Sequence, residues 1–186
     1  METIILLGTA LALGMDAFAV AAVVSAGLSH LSGRHIFRLT WHFGLFQALM
    51  TLFGWFGGEG LATFMAGANH WIAFGLLTAL GLNMIRQSGH PEDRVRDYDP
   101  TRGWSLVALS VATSVDAFAV GVSLGLLNVA IPKPALIIGV VALLMTYVGT
   151  QVGRRAETYL GKWAERLGGI VLIAMGVEML LQHMLS

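Results

Sequence analysis

Six apolar segments dominate this sequence of 186 residues, and each is long enough to cross a membrane as a helix. A helix needs about 20 residues to span the hydrocarbon core of a bilayer. The segments lie near residues 3–28, 36–58, 66–86, 103–127, 134–153 and 167–185. Only 12% of the residues are charged, which is about half the share in a soluble domain. The sequence therefore predicts an all-α integral membrane protein with six transmembrane helices, and the lipid bilayer is its first partner.

The basic residues predict how these helices are oriented. All but one of the 11 lysines and arginines lie in or beside the loops that follow the first, third and fifth segments, and the exception is Lys133. Loops rich in basic residues stay in the cytoplasm, so both termini are expected outside it. The formal net charge is zero, which gives no reason to expect a nucleic-acid partner.

The two halves of the chain carry matching sequences in the same order. LGMDAFAVA at 13–21 matches TSVDAFAVG at 113–121, LMTLFGWFGG at 49–58 matches LMTYVGTQVG at 144–153, and LTALGLNMI at 77–85 matches LIAMGVEML at 172–180. The offset is 100 residues for the first pair and 95 for the other two. These matches predict an internal repeat, with repeat 1 at 1–87, a charged cytoplasmic linker at 88–102 and repeat 2 at 103–186. Because each repeat has three helices, the second enters the membrane from the opposite side, which is the inverted-repeat architecture of many transporters.

One aspartate lies about halfway along the first segment, and another lies about halfway along the fourth. Inverted symmetry would bring these residues, Asp16 and Asp116, to the same depth near the middle of the membrane. An aspartate at that depth costs roughly 2.5–3.5 kcal/mol, and no lysine or arginine lies near the middle of a segment to offset it. Protons or a bound cation must therefore neutralise the pair, and a divalent cation would compete with protons for the same oxygens. Two protonated aspartates hydrogen-bonded within the bundle are the purely structural alternative.

Other polar residues within the segments could complete a cation site. The chain has no cysteine, and its six histidines lie in loops or near segment ends. Oxygen ligands are therefore expected, and these suit Mg²⁺, Ca²⁺ and Mn²⁺. The candidates beside the two aspartates are Gln47, Thr51, Thr113, Glu178 and Asn83. Gln47 and Thr51 are four residues apart and share a helix face. Glu178 and its repeat mate Asn83 lie off the midplane; Glu178 is interpreted as a more remote group or part of a proton path, and a structural role is the alternative for Asn83.

These motifs resemble those of the MntP family of bacterial manganese exporters, which belongs to the LysE-like transporter superfamily. The resemblance is carried by the two DAFAV strings, by HFGLFQALMTLFGW at 42–55, by NHWIAFGLL at 69–77 and by GGIVLIAMGVEML at 168–180. It implies Mn²⁺ export across the bacterial inner membrane, with the paired aspartates, here Asp16 and Asp116, taking part in transport. Members of the family often have proline where this chain has Thr51, which affects the expected bend of the second helix.

The function predicted from the sequence is Mn²⁺ efflux by alternating access through a carboxylate site at the membrane midplane, with no cofactor and no enzymatic activity. Protons are the candidate counter-ion, and a homo-oligomer is compatible with the sequence. One alternative is a LysE-like exporter of an amino acid or another cation. A second is an intramembrane aspartyl hydrolase, because two facing aspartates also suit general acid–base catalysis. A third is a purely structural membrane subunit.

Overall fold

Helices make up all the regular structure of the described residues. The computed structural model describes residues 3–28, 30–89, 99–160 and 162–185. Its helices are α1 (Thr3–Gly27), α2 (Gly33–Gly89), α3 (Gly103–Ala112), α4 (Val115–Leu126), α5 (Pro132–Leu160) and α6 (Lys162–Leu185). The predicted all-α class is thereby confirmed.

Two of these helices are long and apolar enough to cross a membrane by themselves. They are α1 and residues Pro132–Ala156 of α5, each with 25 residues. At 1.5 Å per residue each is about 37 Å long, which exceeds the hydrocarbon thickness of about 30 Å. Helices α3 and α4 meet the same criterion as a pair bent by 46°. The described residues thus contain two clear membrane-span candidates, and a third if the bent pair is one span.

The break between α3 and α4 differs from the prediction of one continuous helix over 103–127. Thr113 and Ser114 separate the two helices. The hydroxyl of Thr113 donates to Leu109 O at 3.0 Å, and the hydroxyl of Ser114 donates to Ser110 O at 2.7 Å. Serine and threonine side chains that bond to the carbonyl four residues earlier often bend helices. Two such residues in succession account for a bend at this position.

Helix α2 covers both of the segments predicted at 36–58 and 66–86, and the residues between them are helical as well. No proline interrupts this stretch, and each glycine costs a helix only about 1 kcal/mol. A straight helix would separate Phe43 from Leu77 by about 51 Å. Both residues nevertheless belong to one core cluster. Membership in one cluster of buried residues indicates that α2 bends between Phe43 and Leu77 rather than running straight.

The main core joins helices from both halves of the chain. Its buried residues are Ala17, Val20, Ala21, Val23, Val24, Leu39, Phe43, Leu77, Leu106, Leu109 and Leu172. Helix α1 packs chiefly on α5, and α2 packs on α4, α5 and α6. Because helices of the first half lie mainly against helices of the second, any site between them is built by both halves.

Glycines allow the closest approaches between these helices. A Cβ atom at Gly54 of α2 would overlap the carbonyl oxygen of Phe118 in α4. A Cβ atom at Gly149 of α5 would overlap the carbonyl oxygen of Phe18 in α1. The two contacts join equivalent positions once the sequence offsets of 95 and 100 residues are applied. Backbone therefore lies directly on backbone at both crossings, where a larger residue does not fit.

A third close approach joins α2 and α5 at Gly44 and Gly139, which are related to each other by the 95-residue offset. A Cβ atom at Gly44 would lie 2.9 Å from Gly139 O, and one at Gly139 would lie 3.0 Å from Gly44 O. Equivalent positions of the two halves thus meet face to face. Gln47, one of the predicted site residues, lies three residues beyond this crossing on α2.

Candidate cation site

The two aspartates of the repeated motif lie side by side. Asp16 is in the middle of α1, and Asp116 is in the first turn of α4. Their carboxyl groups are within hydrogen-bonding reach of each other. Asp116 is exposed and Asp16 is partly exposed. The structure therefore brings together the two residues that the sequence pairs.

The electrostatic surroundings of this pair are acidic. The charged groups that act most strongly on Asp16 are Asp116 and, more weakly, Glu178 of α6. Carboxylates in contact repel each other when both are ionised, and a third one adds to the negative potential. Such a site attracts cations. An amino-acid substrate would instead require a basic partner for its own carboxylate.

The bend between α3 and α4 places Asp116 at the start of a helix. Ser114 is the N-cap residue of α4, but its hydroxyl bonds back to Ser110 and makes no capping hydrogen bond to α4. The first N–H groups of a helix stabilise a nearby carboxylate by about 0.3–1 kcal/mol. The bend therefore supplies part of the charge compensation for Asp116. Asp16 lies inside the continuous helix α1 and has no such support.

A buried amide connects the two backbone segments that carry the aspartates. Gln47 is fully buried, and its Nε2 donates hydrogen bonds to Leu13 O at 3.0 Å and to Thr113 O at 3.2 Å. Its Oε1 is buried and has no hydrogen-bond partner. A buried acceptor without a donor costs about 1–3 kcal/mol. This amide oxygen is therefore a candidate ligand for a cation held by the pair.

The hydroxyl groups of Thr51 and Thr113 are buried near the same amide. Thr51 Oγ1 donates to the backbone oxygen of Gln47 at 2.8 Å, and Thr113 Oγ1 donates to Leu109 O at 3.0 Å. Both hydroxyl protons are thus used within the helices. The hydroxyl oxygens retain lone pairs, so each could still accept a cation.

The remaining two predicted residues are Glu178 and Asn83. Glu178 is exposed on α6 and acts electrostatically on Asp16. The side chain of Asn83, on α2, lies outside the described residues. Over the part of the chain that is described, no three His, Cys, Asp or Glu side chains are grouped for metal binding. Two carboxylates with neutral oxygens make a weaker site than a closed metal centre, which suits an ion that must also leave.

Sequence reasoning missed an ion-pair cluster around Asp99, which was treated as part of a solvated linker. Asp99 Oδ2 lies 3.0 Å from Arg102 Nε, 3.4 Å from His35 Nε2 and 3.7 Å from Arg38 Nη1. Thr101 donates to Oδ1 through both its N–H and its hydroxyl. An Asp followed two residues later by Thr is typical of such a turn, but the partners on α2 could not be read from the sequence. The cluster fixes the chain before α3 to the start of α2.

The titration of Asp99 predicts a loss of stability in acid. Burial alone would raise the pKa of this carboxyl, but the hydrogen bonds from Thr101 and the charges of His35 and Arg102 outweigh burial and lower the pKa below its usual 3.8. A lowered pKa in the folded state adds stability above the usual value, and this stability is lost as pH falls through the folded-state pKa. We expect Asp99→Asn to cost about 1–2 kcal/mol at neutral pH, measured by thermal unfolding in detergent. The variant should lose less stability than the parent between pH 5 and pH 3, and equal losses would contradict this role.

Helices that can cross a membrane and that pair acidic groups between them define a protein of the ion-transport class. A family model described as "Putative manganese efflux pump" matches residues 30–180. The chain belongs to this family, which confirms the family resemblance in the sequence. Membership also confirms the prediction of a transporter rather than an enzyme.

Relatives with the same description match nearly the whole chain. The "Putative manganese efflux pump MntP" of Syntrophotalea carbinolica is 49% identical over 187 residues. The match covers 100% of this chain and 100% of that protein. The protein of that description from Oleidesulfovibrio alaskensis is 49% identical, over 97% of this chain and 96% of its own length. The protein of that description from Desulfotalea psychrophila is 50% identical, over 97% of this chain and 95% of its own length. No solved structure matches this chain.

Proposed function

We propose that this protein exports Mn²⁺ from the bacterial cytoplasm through a site formed by Asp16 and Asp116. The family and the relatives carry manganese efflux in their descriptions. For this chain, the observation that carries the proposal is the contact between the two carboxyl groups. Two carboxylates balance the charge of one divalent ion, and their oxygens are ligands that suit Mn²⁺.

Neutral oxygens complete the coordination in this proposal. The unpartnered Oε1 of Gln47 is the first of them, followed by the hydroxyl oxygens of Thr51 and Thr113. Glu178 exchanges protons with the pair, so that protons displaced by the metal leave as the counter-ion, and Asn83 is its uncharged counterpart in the other repeat. Binding then releases protons, because carboxylates must be deprotonated to hold the ion.

The architecture we propose has six spans in two inverted repeats, 1–87 and 103–186, joined by a cytoplasmic linker at 88–102. Two observations support it. The contacts Gly54–Phe118 and Gly149–Phe18 are equivalent under the repeat offsets, and Gly44 meets its own counterpart Gly139. A twofold relation between the halves produces both kinds of contact, and alternating access follows if one repeat rocks against the other.

The exposure of the two central spans supports a state closed toward the cytoplasm. The first half of α1 is largely exposed, at Leu7 and Leu11 for example, whereas its second half from Ala17 onward is mostly buried. In the fourth span the order is reversed along the chain but the contrast is weaker, with Leu106 and Leu109 of α3 buried and Leu126 of α4 exposed. With both termini outside the cytoplasm of an inner-membrane protein, as the basic loops predict, the packed halves are the cytoplasmic ones.

Thermal unfolding of the purified protein with different ligands tests the substrate class. A ligand that binds only the folded state at 100 times its Kd stabilises it by about 2.7 kcal/mol, so the Tm is expected to rise with Mn²⁺. Ca²⁺, Mg²⁺, Cd²⁺ and lysine serve as competitors. A rise with lysine but not with Mn²⁺ would indicate an amino-acid exporter, and no rise with any of them would indicate a structural subunit. Either result would overturn the proposal.

A further inference from the structure

Gln47 holds two backbone carbonyls that occupy equivalent positions in the two halves of the chain. Its Nε2 donates to Leu13 O at 3.0 Å and to Thr113 O at 3.2 Å. Leu13 and Thr113 are 100 residues apart, and each precedes one aspartate of the pair by three residues. In α1, residues three apart are neighbours on the helix surface, and in the other half Thr113 lies at the break directly before the first turn of α4, which carries Asp116. Fixing these two carbonyls therefore fixes the separation of the two aspartates.

The bond to Thr113 also satisfies a carbonyl that the bend leaves without its helical donor. In a continuous helix Thr113 O would accept from the N–H of residue 117. At the break, the backbone bonds are instead Ser114 N–H to Val111 O and Phe118 N–H to Ser114 O. The side-chain amide of Gln47 takes the missing donor's place. This side chain is thus bonded directly to the bend of the fourth span.

The equivalent residue in the other half cannot play this part. The offset of 95 residues relates Gln47 to Ala142, which is also fully buried. The backbone carbonyls of both residues accept a threonine hydroxyl, from Thr51 at 2.8 Å and from Thr146 at 2.7 Å. The two positions therefore have the same local backbone contacts. They differ in the side chain, because Gln47 has an amide that donates to a carbonyl in each half, and Ala142 has none.

We infer that Gln47 is a positioning residue, which sets the spacing of Asp16 and Asp116 and maintains the bend between α3 and α4. The inference rests on the proposed cation site, but it concerns the metal-free protein as well. Both Nε2 protons are used on carbonyls, so the amide orientation is fixed and Oε1 remains the free end. A fixed spacing discriminates among ions, because Ca²⁺ tolerates longer and more variable ligand distances than smaller cations.

The test measures hydrogen exchange and metal binding in the full-length protein. Gln47→Leu removes the amide at similar size, and Thr146→Val is the matched control, since it removes a buried hydroxyl from the other half. We expect Gln47→Leu to speed amide exchange at residues 115–118 without metal by about tenfold, in line with two lost buried hydrogen bonds. Its Mn²⁺ affinity and its preference for Mn²⁺ over Ca²⁺ should fall as well. Thr146→Val should change neither quantity by more than about twofold.

A second pair of variants keeps the test decisive if Gln47→Leu does not fold. Gln47→Glu retains the size and an oxygen but can donate to one carbonyl at most, so exchange at 115–118 should still rise. Moving the amide across, with Gln47→Ala and Ala142→Gln together, should restore slow exchange, because the two positions are equivalent. If Mn²⁺ affinity falls while metal-free exchange stays at the parent rate, Gln47 is a ligand only and the inference is wrong. If the parent itself binds no Mn²⁺, the proposed function fails, yet the exchange result still decides the positioning role.

Discussion

Replacing either aspartate of the pair with asparagine is expected to abolish Mn²⁺ export. Asp16→Asn and Asp116→Asn keep the size of the side chain and one neutral oxygen, but each leaves a single negative charge for a divalent ion. Mutation of a residue that only supports a metal ligand already lowers metal affinity or activity by about 10–100-fold. Loss of a charged ligand should therefore lower the flux by at least about 100-fold. The measurement is Mn²⁺ flux in proteoliposomes of matched protein content.

Misfolding is separated from loss of the site by the unfolding temperature of the metal-free variants. The two carboxyl groups lie within hydrogen-bonding reach and repel each other when both are ionised. Each substitution should therefore leave the metal-free Tm unchanged or raise it, while the Mn²⁺-dependent rise disappears. Glu178→Gln serves as a comparison variant. We expect it to lose less Mn²⁺ flux than the aspartate variants and to change the pH dependence of the flux. Undiminished flux in both aspartate variants would refute the carboxylate site.

A second large effect is expected from adding one methyl group at a helix crossing. In Gly54→Ala the new Cβ would overlap Phe118 O and lie 2.9 Å from Val122 N, and in Gly149→Ala it would overlap Phe18 O. These are backbone atoms and cannot rotate away, so the helices must move apart. Overpacking of this kind costs about 1–3 kcal/mol, which should lower the Tm in detergent by about 2–12 °C for a chain of this length.

The control for this pair is Gly75→Ala, because nothing lies within 4 Å of a Cβ atom at that position. Alanine favours a helix by about 0.5–1 kcal/mol over glycine, so this variant should be as stable as the parent or slightly more stable. The two crossings are equivalent under the repeat offsets, so Gly54→Ala and Gly149→Ala should also have similar effects. If Gly54→Ala and Gly149→Ala both unfolded at the wild-type Tm, the backbone contacts described above would be contradicted.

The helical class and the pairing of the aspartates could be predicted because each depends on a strong and local signal. Long uncharged segments leave few alternatives to membrane helices, and a repeated DAFAV string at equal depth brings its aspartates together if the repeat is inverted. The contact between Asp16 and Asp116 agrees with that expectation. The family followed from motifs spread over the whole chain.

The bend and the buried amide could not be predicted because they depend on tertiary contacts. The residue types of Thr113 and Ser114 do not by themselves dictate a bend, which is seen only in the break between α3 and α4 and in the hydrogen bonds to Leu109 and Ser110. Gln47 was named as a ligand from its helix face, but its bonds to Leu13 and Thr113 join residues 34 and 66 positions away. No pattern within one helix encodes partners at such separations. The ion pairs of Asp99 could not be predicted for the same reason, since its partners His35 and Arg38 lie on a helix that is far away in the sequence.

The bend of 46° between α3 and α4 has no counterpart in α1, which runs unbroken through the same five residues, Asp-Ala-Phe-Ala-Val. Both copies of this string are helical, and the bend lies just before the second copy, at Thr113 and Ser114, where the first half has Leu13 and Gly14. The shared string therefore carries no bend of its own, and the break belongs to two residues that differ between the halves. The chain thus leads into the two aspartates differently, into Asp16 through a continuous helix and into Asp116 through the first turn of a new one, so the backbone of the two halves differs at the carboxylate pair itself.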